Sequence, residues 1–252
     1  MNLSGKHALV TGGGTGIGVA IARALAEHGA VVTITGRRAD VLGDAAQTHP
    51  GLFAQTVDVM DETSVCMGVA AAVAARGPVQ ICVPNAGIAE GRAAHKTDMA
   101  FWRTMMATNL DGAFLTIREC LTSMHTTDWG RVIAISSIAG VKGLKGAPCY
   151  SASKHGLVGL IRGLAADYLG KPYTFNALCP AYVDTAIVPQ NIERIMARTG
   201  MSEAEAHKVM DGANPHGRLI APKEVAEAAL WLCDDHSGSV NGQAIQIAGG
   251  EM

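Results

Sequence analysis

Tyr150 and Lys154 lie four residues apart in the sequence Y-S-A-S-K, and Ser137 lies thirteen residues before the tyrosine. Residues i and i+4 share one face of a helix, so a helix beginning here would direct a phenol and an ammonium group into the same space. A free phenol, with a pKa of about 10, is a weak acid at neutral pH, but a neighbouring cation favours the phenolate. The spacing therefore predicts that Tyr150 is a general acid or base and that Ser137 binds a carbonyl or alcohol oxygen.

A glycine-rich stretch, T-G-G-G-T-G-I-G, occupies Thr11–Gly18, between the apolar run His7–Thr11 and the start of a helical pattern. Glycine lets a backbone turn sharply and approach a phosphate without a side-chain clash. The amino terminus of the following helix adds unpaired N–H groups and a partial positive charge. A strand, a glycine turn and a helix in this order predict a dinucleotide site. Its predicted contacts are Gly12, Thr15, Gly16, Ile17 and Gly18.

The residues after the second apolar run decide which dinucleotide is favoured. An acidic side chain there would bind the ribose hydroxyls of NAD, but this chain has Arg37 and Arg38. Guanidinium groups suit a 2′-phosphate, because they form several charged hydrogen bonds with it. Asp40 comes too late and is expected at the start of the next helix. The sequence therefore favours NADP, with NAD as the alternative.

The composition of the 252-residue chain is that of a globular protein, with 48% hydrophobic and 17% charged residues. A net charge of −2 gives no electrostatic reason to expect nucleic acid or an anionic membrane as partner. The chain has no 18-residue apolar window, and no signal-peptide-like stretch follows Met1. Its six cysteines and nine histidines show no metal-binding spacing. We expect a cytoplasmic protein with reduced thiols and no metal.

Seven short apolar runs alternate with longer helical patterns, at a spacing of about 25–40 residues. This order predicts one α/β domain over residues 1–252, a doubly wound (Rossmann) fold with a seven-stranded parallel sheet and helices on both faces. The near-continuous apolar character of most runs indicates strands covered on both faces. The predicted strands are His7–Thr11, Val31–Thr35, Phe53–Val57, Val79–Val83, Val132–Ile135, Thr174–Leu178 and Ala244–Ile247.

One segment, residues 185–215, interrupts this alternation. The spacing Ser202–Glu205 fits a capping box that opens a short helix, and Pro222 fits the first position of the next helix. An insertion after the sixth strand lies at the carboxyl edge of the sheet, where α/β folds bind their ligands. We interpret it as a substrate lid, and a purely structural helical excursion is the alternative. The apolar residues assigned to it are Ile187, Val188, Ile192, Met196 and Met210.

The chain resembles the short-chain dehydrogenase/reductase family along nearly its whole length. The family's glycine motif matches Thr11–Gly18, and its N-A-G motif matches residues 85–87. The resemblance implies catalytic roles for Asn109, Ser137, Tyr150 and Lys154. The cofactor contacts that it implies in addition are Asp58, Val59, Asn85, Ala86, Gly87, Tyr150, Lys154, Pro180, Val183 and Thr185.

By this resemblance the protein transfers a hydride between a nicotinamide and a ketone or secondary alcohol. Ser137 would position the substrate oxygen, Tyr150 would exchange the proton, and Lys154 would tune the tyrosine and bind the nicotinamide ribose. Asn109, in the long fifth helix of the family, would hold a water that connects Lys154 to solvent. The family usually forms homotetramers through the fifth and sixth helices and the last strand, so a homotetramer or homodimer is expected.

Two positions depart from the family pattern near the cofactor. Pro84 replaces an asparagine before N-A-G, and because proline lacks an N–H, one local hydrogen bond must be lost or replaced. Ala181 replaces a glycine after the sixth strand and would be strained if that position required a positive φ.

The substrate is the least specified feature. The last third of the chain resembles 3-hydroxybutyrate dehydrogenases and polyketide or 3-oxoacyl reductases, but Ala89, Ala139 and Ala147 stand where the former hold a carboxylate with polar side chains. We therefore expect a neutral or thioester-linked carbonyl, with Tyr182 and Ile187 also near the substrate. Lys142 and Lys145 could meet a carrier phosphate or could be solvated loop charges.

Two other functions remain open at this point. An NAD-dependent secondary-alcohol or polyol dehydrogenase would use the same catalytic residues with the other cofactor. A non-catalytic dinucleotide-binding sensor would usually lack at least one of them.

Overall fold

A computed structural model describes residues 1–185, 188, 192–193, 196–197 and 199–251. Within these residues, seven strands form one parallel sheet in the order β3-β2-β1-β4-β5-β6-β7. The strands are β1 His7–Thr11, β2 Val31–Gly36, β3 Leu52–Thr56, β4 Val79–Val83, β5 Gly130–Ile135, β6 Tyr173–Pro180 and β7 Ala244–Ile247. All seven predicted strands are confirmed. The predicted limits of the third strand were one residue late at each end.

Helices connect the strands. They are α1 Gly16–Glu27, α2 Ala39–Gln47, α3 Glu62–Arg76, α4 Met99–Met106, α5 Gly112–Met124, α6 Pro148–Asp167, α7 Glu203–Asp211 and α8 Pro222–Cys233. The capping box predicted at Ser202 and Glu205 is present at the start of α7, where each side chain bonds the other residue's main-chain N–H. Pro222 opens α8, as predicted, because its missing N–H is not needed in a first helical turn.

Two separate apolar layers cover the two faces of the sheet. On one face α1 and α8 pack on the strands, with Leu25 and Leu230 fully or almost fully buried. On the other face α3, α5 and α6 do so, with Ile117, Ile161 and Phe175 buried. This arrangement confirms the predicted doubly wound fold.

The edge strand β3 is less covered than the central strands. Every residue of β1, β5 and β6 is buried, but Phe53, Ala54 and Thr56 of β3 are exposed. β3 is an outermost strand, so β2 is its one neighbouring strand. The apolar character of its sequence indicated a strand but not its place in the sheet.

A third, smaller apolar cluster belongs to the segment between β6 and α8. Val188, Ile192, Ala206 and Met210 are buried against one another, apart from the two main layers. Ile187, predicted to lie near the substrate, is outside the described residues.

The order of the strands defines where a ligand can bind. From β1 the chain continues towards β2 on one side, and from β4 it continues towards β5 on the other. A crevice therefore opens between the carboxyl ends of β1 and β4, which is the usual ligand position in such sheets. None of the helices in the described part of the chain is long and apolar enough to cross a bilayer.

Candidate active site

Two connected clefts open at the carboxyl edge of the sheet, with volumes of about 420 Å³ and 240 Å³. The larger contains Tyr150, and the smaller contains Arg37. The residues that line both are Gly12, Thr15, Ala86, Gly87 and Ile88. The glycine loop and the N-A-G motif thus form the common wall of two chambers, as a ligand with two linked halves requires.

The glycine loop has the backbone that its sequence predicts. Gly12 and Gly16 have φ angles of +63° and +55°, a region that side chains disfavour. A Cβ on Gly18 would overlap the carbonyl oxygen of Gly12, so α1 can begin this close to the loop only with glycine there. The Asn85 side-chain amide donates to the Thr11 carbonyl oxygen at 2.8 Å. These contacts hold the ends of β1 and β4 together.

Several features of the loop suit a diphosphate and a nucleoside. Thr15 is the N-cap of α1, yet in the described part of the chain its side chain caps none of the first-turn amides. Those N–H groups can therefore point at an anion, which the helix dipole also favours. In the smaller cleft, the buried Thr35 hydroxyl has no hydrogen-bond partner among the described residues. A buried hydroxyl is costly to leave unpaired, and a ribose hydroxyl or phosphate could satisfy it.

The smaller cleft carries the groups that would distinguish the two dinucleotides. Arg37 and Arg38 are exposed at its rim, and neither forms an ion pair with a carboxylate of the described residues. Asp40 lies in the first turn of α2, as predicted. Asp58 and Val59 line the cleft after β3, with one Asp58 carboxylate oxygen accepting from the Met60 N–H at 3.0 Å. This cleft therefore presents two free guanidinium groups.

The larger cleft holds the predicted tyrosine and lysine. Both lie in the first two turns of α6, and the Lys154 ammonium nitrogen is 6.0 Å from the centre of the Tyr150 ring. Lys154 is 5% exposed, and its Nζ donates to the Ile135 carbonyl oxygen at the end of β5 at 2.9 Å. The ammonium is thus fixed between the helix and the sheet.

Ser137 faces the same cleft from the turn after β5. Its Oγ accepts a hydrogen bond from the Ala139 N–H at 3.1 Å, at the start of the 3₁₀ turn Ile138–Gly140. Because this bond uses an acceptor site, the hydroxyl proton of Ser137 stays available for donation. The 3₁₀ turn therefore sets both the position and the direction of the serine hydroxyl.

Burial shifts the pKa values of the two titrating groups in opposite directions. It raises the pKa of Tyr150, and hydrogen bonding to Ser137 offsets part of this change. It lowers the pKa of Lys154 from 10.5 to about 8. We predicted that the neighbouring cation would lower the pKa of Tyr150, but in the protein alone the loss of water around the phenol outweighs any such effect.

Asn109 lies behind the site, in a π turn, Ala107–Asp111, between α4 and α5 rather than in a regular α-helix. Its Oδ1 accepts from the Ile88 N–H at 2.8 Å, and its Nδ2 donates to the Ile88 carbonyl at 3.0 Å. The same Nδ2 lies 3.0 Å from Ser153 Oγ on α6. π turns are frequent at functional sites. Here the turn brings Asn109 between the N-A-G loop and α6.

The other predicted residues are mostly, but not all, on the clefts. Ala89, Ala147 and Tyr182 line the larger cleft, as do Pro180, Val183 and Thr185. Ala139 is fully buried and lines neither cleft, because the 3₁₀ turn directs it inward and engages its N–H with Ser137. Some lining residues could not be found from the sequence because no motif marks them, among them Glu90, Leu144 and Thr35.

The two departures from the family pattern are accommodated without strain. Pro84 lacks an N–H, but the next two amides, of Asn85 and Ala86, both donate to Thr11 Oγ1 at 2.9 Å. Ala181 needs no glycine, since no non-glycine residue of the described chain has a positive φ. The loop is therefore anchored one residue after the proline.

The two lysines near the larger cleft differ. Lys142 forms an ion pair with Glu251. Lys145 is exposed to solvent.

Comparisons with known proteins agree with this geometry. A model of the short chain dehydrogenase family matches residues 6–195. Cis-4-hydroxycyclohexanecarboxylate dehydrogenase of Sinomonas cyclohexanicum is 37% identical, with 97% of this chain and 96% of that protein covered. Acetoacetyl-CoA reductase of Rhizobium meliloti (strain 1021) is 35% identical, with 98% of each covered. A crystal structure of an actinorhodin polyketide ketoreductase variant with NADPH superposes with a TM-score of 0.94 at 33% identity, covering 97% and 96% of the two chains.

The chain belongs to the short-chain dehydrogenase family. It is an NAD(P)-dependent oxidoreductase that interconverts a carbonyl group and an alcohol. The predicted family, fold and reaction class are confirmed.

Replacing Lys154 with Met should change how stability depends on pH. Below pH 8 the native protein must bury an ammonium that the unfolded chain keeps hydrated, a cost on the order of 3 kcal/mol. Between pH 8 and 10.5 the native state has lost this proton and the unfolded state still binds it, so wild-type stability rises with pH. In urea unfolding, Lys154→Met should be more stable than wild type at pH 7, and this advantage should shrink by pH 9.5. If the difference in unfolding free energy between the variant and wild type were equal at both pH values, the lowered pKa of Lys154 would be contradicted.

Replacing Gly18 with Ala should weaken dinucleotide binding, because the new Cβ displaces the Gly12 carbonyl and with it the loop. We expect the Kd for NADPH, measured by calorimetry, to rise at least tenfold. Gly43→Ala is the matched control, since a Cβ there meets open space in the middle of α2. The control should keep the wild-type Kd and gain about 0.5–1 kcal/mol of stability. If both variants bind NADPH like wild type, the loop is not the diphosphate site.

Proposed function

We propose that this enzyme uses NADPH to reduce a neutral ketone, or a 3-oxoacyl thioester, to the corresponding secondary alcohol. The observation that carries the proposal is the pair of O–H groups, of Ser137 and Tyr150, that face one apolar cleft beside a buried ammonium. The names of two relatives, an acetoacetyl-CoA reductase and a polyketide ketoreductase, support the same direction and substrate class.

Ser137 binds the carbonyl oxygen in this proposal. Its hydroxyl accepts from Ala139 and can therefore donate its own proton to the substrate oxygen. This hydrogen bond orients the carbonyl and stabilises the negative charge that develops on its oxygen during reduction. The bound nicotinamide supplies the hydride.

Tyr150 delivers the proton. Because its pKa is raised, the phenol is protonated at neutral pH and is ready to act as an acid. Alcohol oxidation would instead require the phenolate, which burial disfavours. The raised pKa therefore keeps Tyr150 at neutral pH in the protonated form that carbonyl reduction requires.

Lys154 and Asn109 support the tyrosine. The Lys154 ammonium would stabilise the phenolate left after proton transfer and, following the family resemblance, would bind the nicotinamide ribose. Asn109 fixes the loop at Ile88 against α6 and, following the family resemblance, holds a water that links Lys154 to solvent.

The cofactor would lie across both clefts. Its diphosphate would meet Gly12, Thr15, Gly16 and Ile17, with Gly18 giving the loop its close approach to α1. Arg37 and Arg38 would bind the 2′-phosphate, and the neighbouring Asp58 and Val59 the adenine. The nicotinamide half would lie along Asn85, Ala86 and Gly87, opposite Pro180, Val183 and Thr185. The ketoreductase with NADPH supports NADP over NAD.

The lining of the larger cleft supports a substrate without a carboxylate. Ala89, Leu144 and Ala147 are apolar, and Glu90 is the acidic residue among the described residues of the lining. The guanidinium of Arg92 is already engaged, 3.3 Å from Glu90 and stacked on Phe101. Of the described residues that line this cleft, Lys154 is the one cation, and its ammonium already donates to the Ile135 carbonyl. The lining therefore offers a carboxylate no dedicated partner, and a neutral carbonyl needs none.

We also propose that the segment 185–215 is a lid over the substrate, because Val188 and Met210 of its apolar cluster line the larger cleft. We propose further a homotetramer or homodimer. Exposed Phe114 on α5 supports contacts between subunits through that helix.

We propose a cytoplasmic location, which fits the six unpaired cysteines.

Replacing Tyr150 with Phe should remove the acid and leave the binding sites. We expect kcat for NADPH-dependent ketone reduction to fall by about 10²–10⁴-fold, with the Kd for NADPH within about threefold of wild type. Tyr182→Phe is the matched control, since it removes a second phenol from the same cleft and should retain most activity. The assay should cover neutral ketones, acetoacetyl-CoA and free 3-oxo acids. An active Tyr150→Phe enzyme would refute the role, and a wild type inert on every substrate would favour the non-catalytic sensor.

Replacing Arg37 and Arg38 with Ala should weaken NADPH binding about 10–100-fold and leave NADH binding nearly unchanged, because charged hydrogen bonds to the 2′-phosphate are lost. Arg103→Ala is the control, since Arg103 is exposed on α4 and lines neither cleft. Fluorescence titration gives both constants. A wild type that prefers NADH would instead support the NAD-dependent secondary-alcohol or polyol dehydrogenase.

A further inference from the structure

The segment Ala181–Thr185 forms one wall of the larger cleft but lies beyond the end of the sheet. β6 ends at Pro180, and the N–H of Ala181 donates to the Ile247 carbonyl at 3.0 Å as the pairing with β7 finishes. From Tyr182 onward the chain has left the sheet, so its main-chain N–H and C=O groups need other hydrogen-bond partners. Any displacement of this segment would change the shape of the cleft.

The partners come from residues 214–220. Asn214 Oδ1 accepts from the Tyr182 N–H at 3.1 Å, and Asn214 Nδ2 donates to the Tyr182 carbonyl at 2.9 Å. Ile220 adds two main-chain bonds, from its N–H to the Tyr182 carbonyl at 2.9 Å and from the Asp184 N–H to its carbonyl at 2.8 Å. The Asn214 side chain thus binds both main-chain polar groups of Tyr182, the second residue of the wall.

Asn214 is suited to this task by its chemistry. It is 1% exposed, and its second Nδ2 proton is directed to the Arg218 carbonyl at 2.8 Å. A primary amide has two N–H donors and one carbonyl acceptor, and all three functions are used here. A carboxylate would place an oxygen against two carbonyl oxygens, and an aliphatic side chain would leave buried main-chain groups unpaired.

The position of Asn214 along the chain gives the contact its importance. The proposed lid leaves the wall at Thr185 and returns at Asn214, so the amide joins its two ends. Between them lies the separate apolar cluster, of which Val188 and Met210 line the cleft. The Asn214 side chain therefore joins the cleft wall to the return of the lid, and the main-chain bonds of Ile220 add to this attachment.

We propose that Asn214 is a positioning residue for the substrate. It fixes the backbone of Tyr182 and the return of the lid segment, and so sets the width of the cleft opposite Tyr150. The kinetic part of this proposal depends on the proposed ketone reduction, whereas the structural part does not.

Asn176 offers a matched control. It is also 1% exposed, and its side-chain amide clamps main-chain groups in the same way, with Nδ2 donating to the Val240 carbonyl at 2.7 Å and Oδ1 accepting from the Gln243 N–H at 3.0 Å. It lies within β6, bonds residues that precede β7, and lines neither cleft. Changing either asparagine to Asp therefore causes a similar local conflict at a different distance from the site.

The experiment compares Asn214→Asp with Asn176→Asp. We expect Asn214→Asp to raise the KM for a neutral ketone at least tenfold at saturating NADPH, with kcat reduced less than fivefold. Asn176→Asp should lower the unfolding midpoint by a similar amount but keep the KM within twofold of wild type. An unchanged KM in Asn214→Asp, or an equal rise in both variants, would overturn the proposal.

Hydrogen exchange of the substrate-free enzyme tests the structural part independently. The peptide containing Tyr182 and Asp184 should be protected in wild type and should exchange at least tenfold faster in Asn214→Asp, but not in Asn176→Asp. If wild type reduces none of the ketones, the proposed function fails and exchange alone decides on the clamp. If Asn214→Asp does not fold, Asn214→Ser, which keeps the main-chain bonds of Ile220, is measured in its place with the same criteria.

Discussion

The burial of one ammonium group is the interaction on which the site depends. Lys154 is almost fully removed from water, and the Ile135 carbonyl is the group that receives its hydrogen bond. Burying an ion costs free energy unless a hydrogen-bond partner is held close to it. The start of α6 and the end of β5 must therefore keep a fixed position relative to each other. The fold keeps this position because β5 lies inside the sheet, between β4 and β6, and every one of its residues is buried. Burying the ammonium lowers the stability of the folded protein, and it provides the charged group that the proposed reaction uses.

The same burial determines whether Tyr150 or Lys154 is the stronger acid. The pKa of Tyr150 is raised and that of Lys154 is lowered to about 8, so in the protein alone the ammonium is the stronger acid. A tyrosine that has given its proton to a substrate can therefore regain one from its neighbour with a favourable free energy. In the proposed reaction this makes the lysine both the electrostatic partner of the phenolate and the source from which the phenol is restored. A lysine with an ordinary pKa could fill the first role but would serve the second less well.

Much of the architecture could be predicted from local sequence patterns. All seven strands, the positive φ angles of Gly12 and Gly16, the capping box at Ser202 and the opening of α8 at Pro222 follow from propensity, periodicity and turn chemistry. These are features that a few neighbouring residues decide. The spacing of Tyr150 and Lys154 likewise needed only the period of a helix.

What could not be predicted depends on contacts between distant segments. The π turn at Asn109, the inward direction of Ala139 and the clamp made by Asn214 arise when loops from different strands meet. The pKa of Tyr150 was misjudged for the same reason, since desolvation depends on everything packed around the phenol. Exposure of β3 follows from strand order, which a single strand's sequence does not contain.

The small apolar cluster formed by Val188, Ile192, Ala206 and Met210 has a consequence for how such an enzyme can diverge. Because it is separate from the two layers that hold the sheet, its side chains can be exchanged with little effect on the stability of the whole molecule. Two of them, Val188 and Met210, line the larger cleft. Substitutions in this cluster, natural or engineered, can therefore change which substrates fit the larger cleft while the residues proposed to move the proton stay the same.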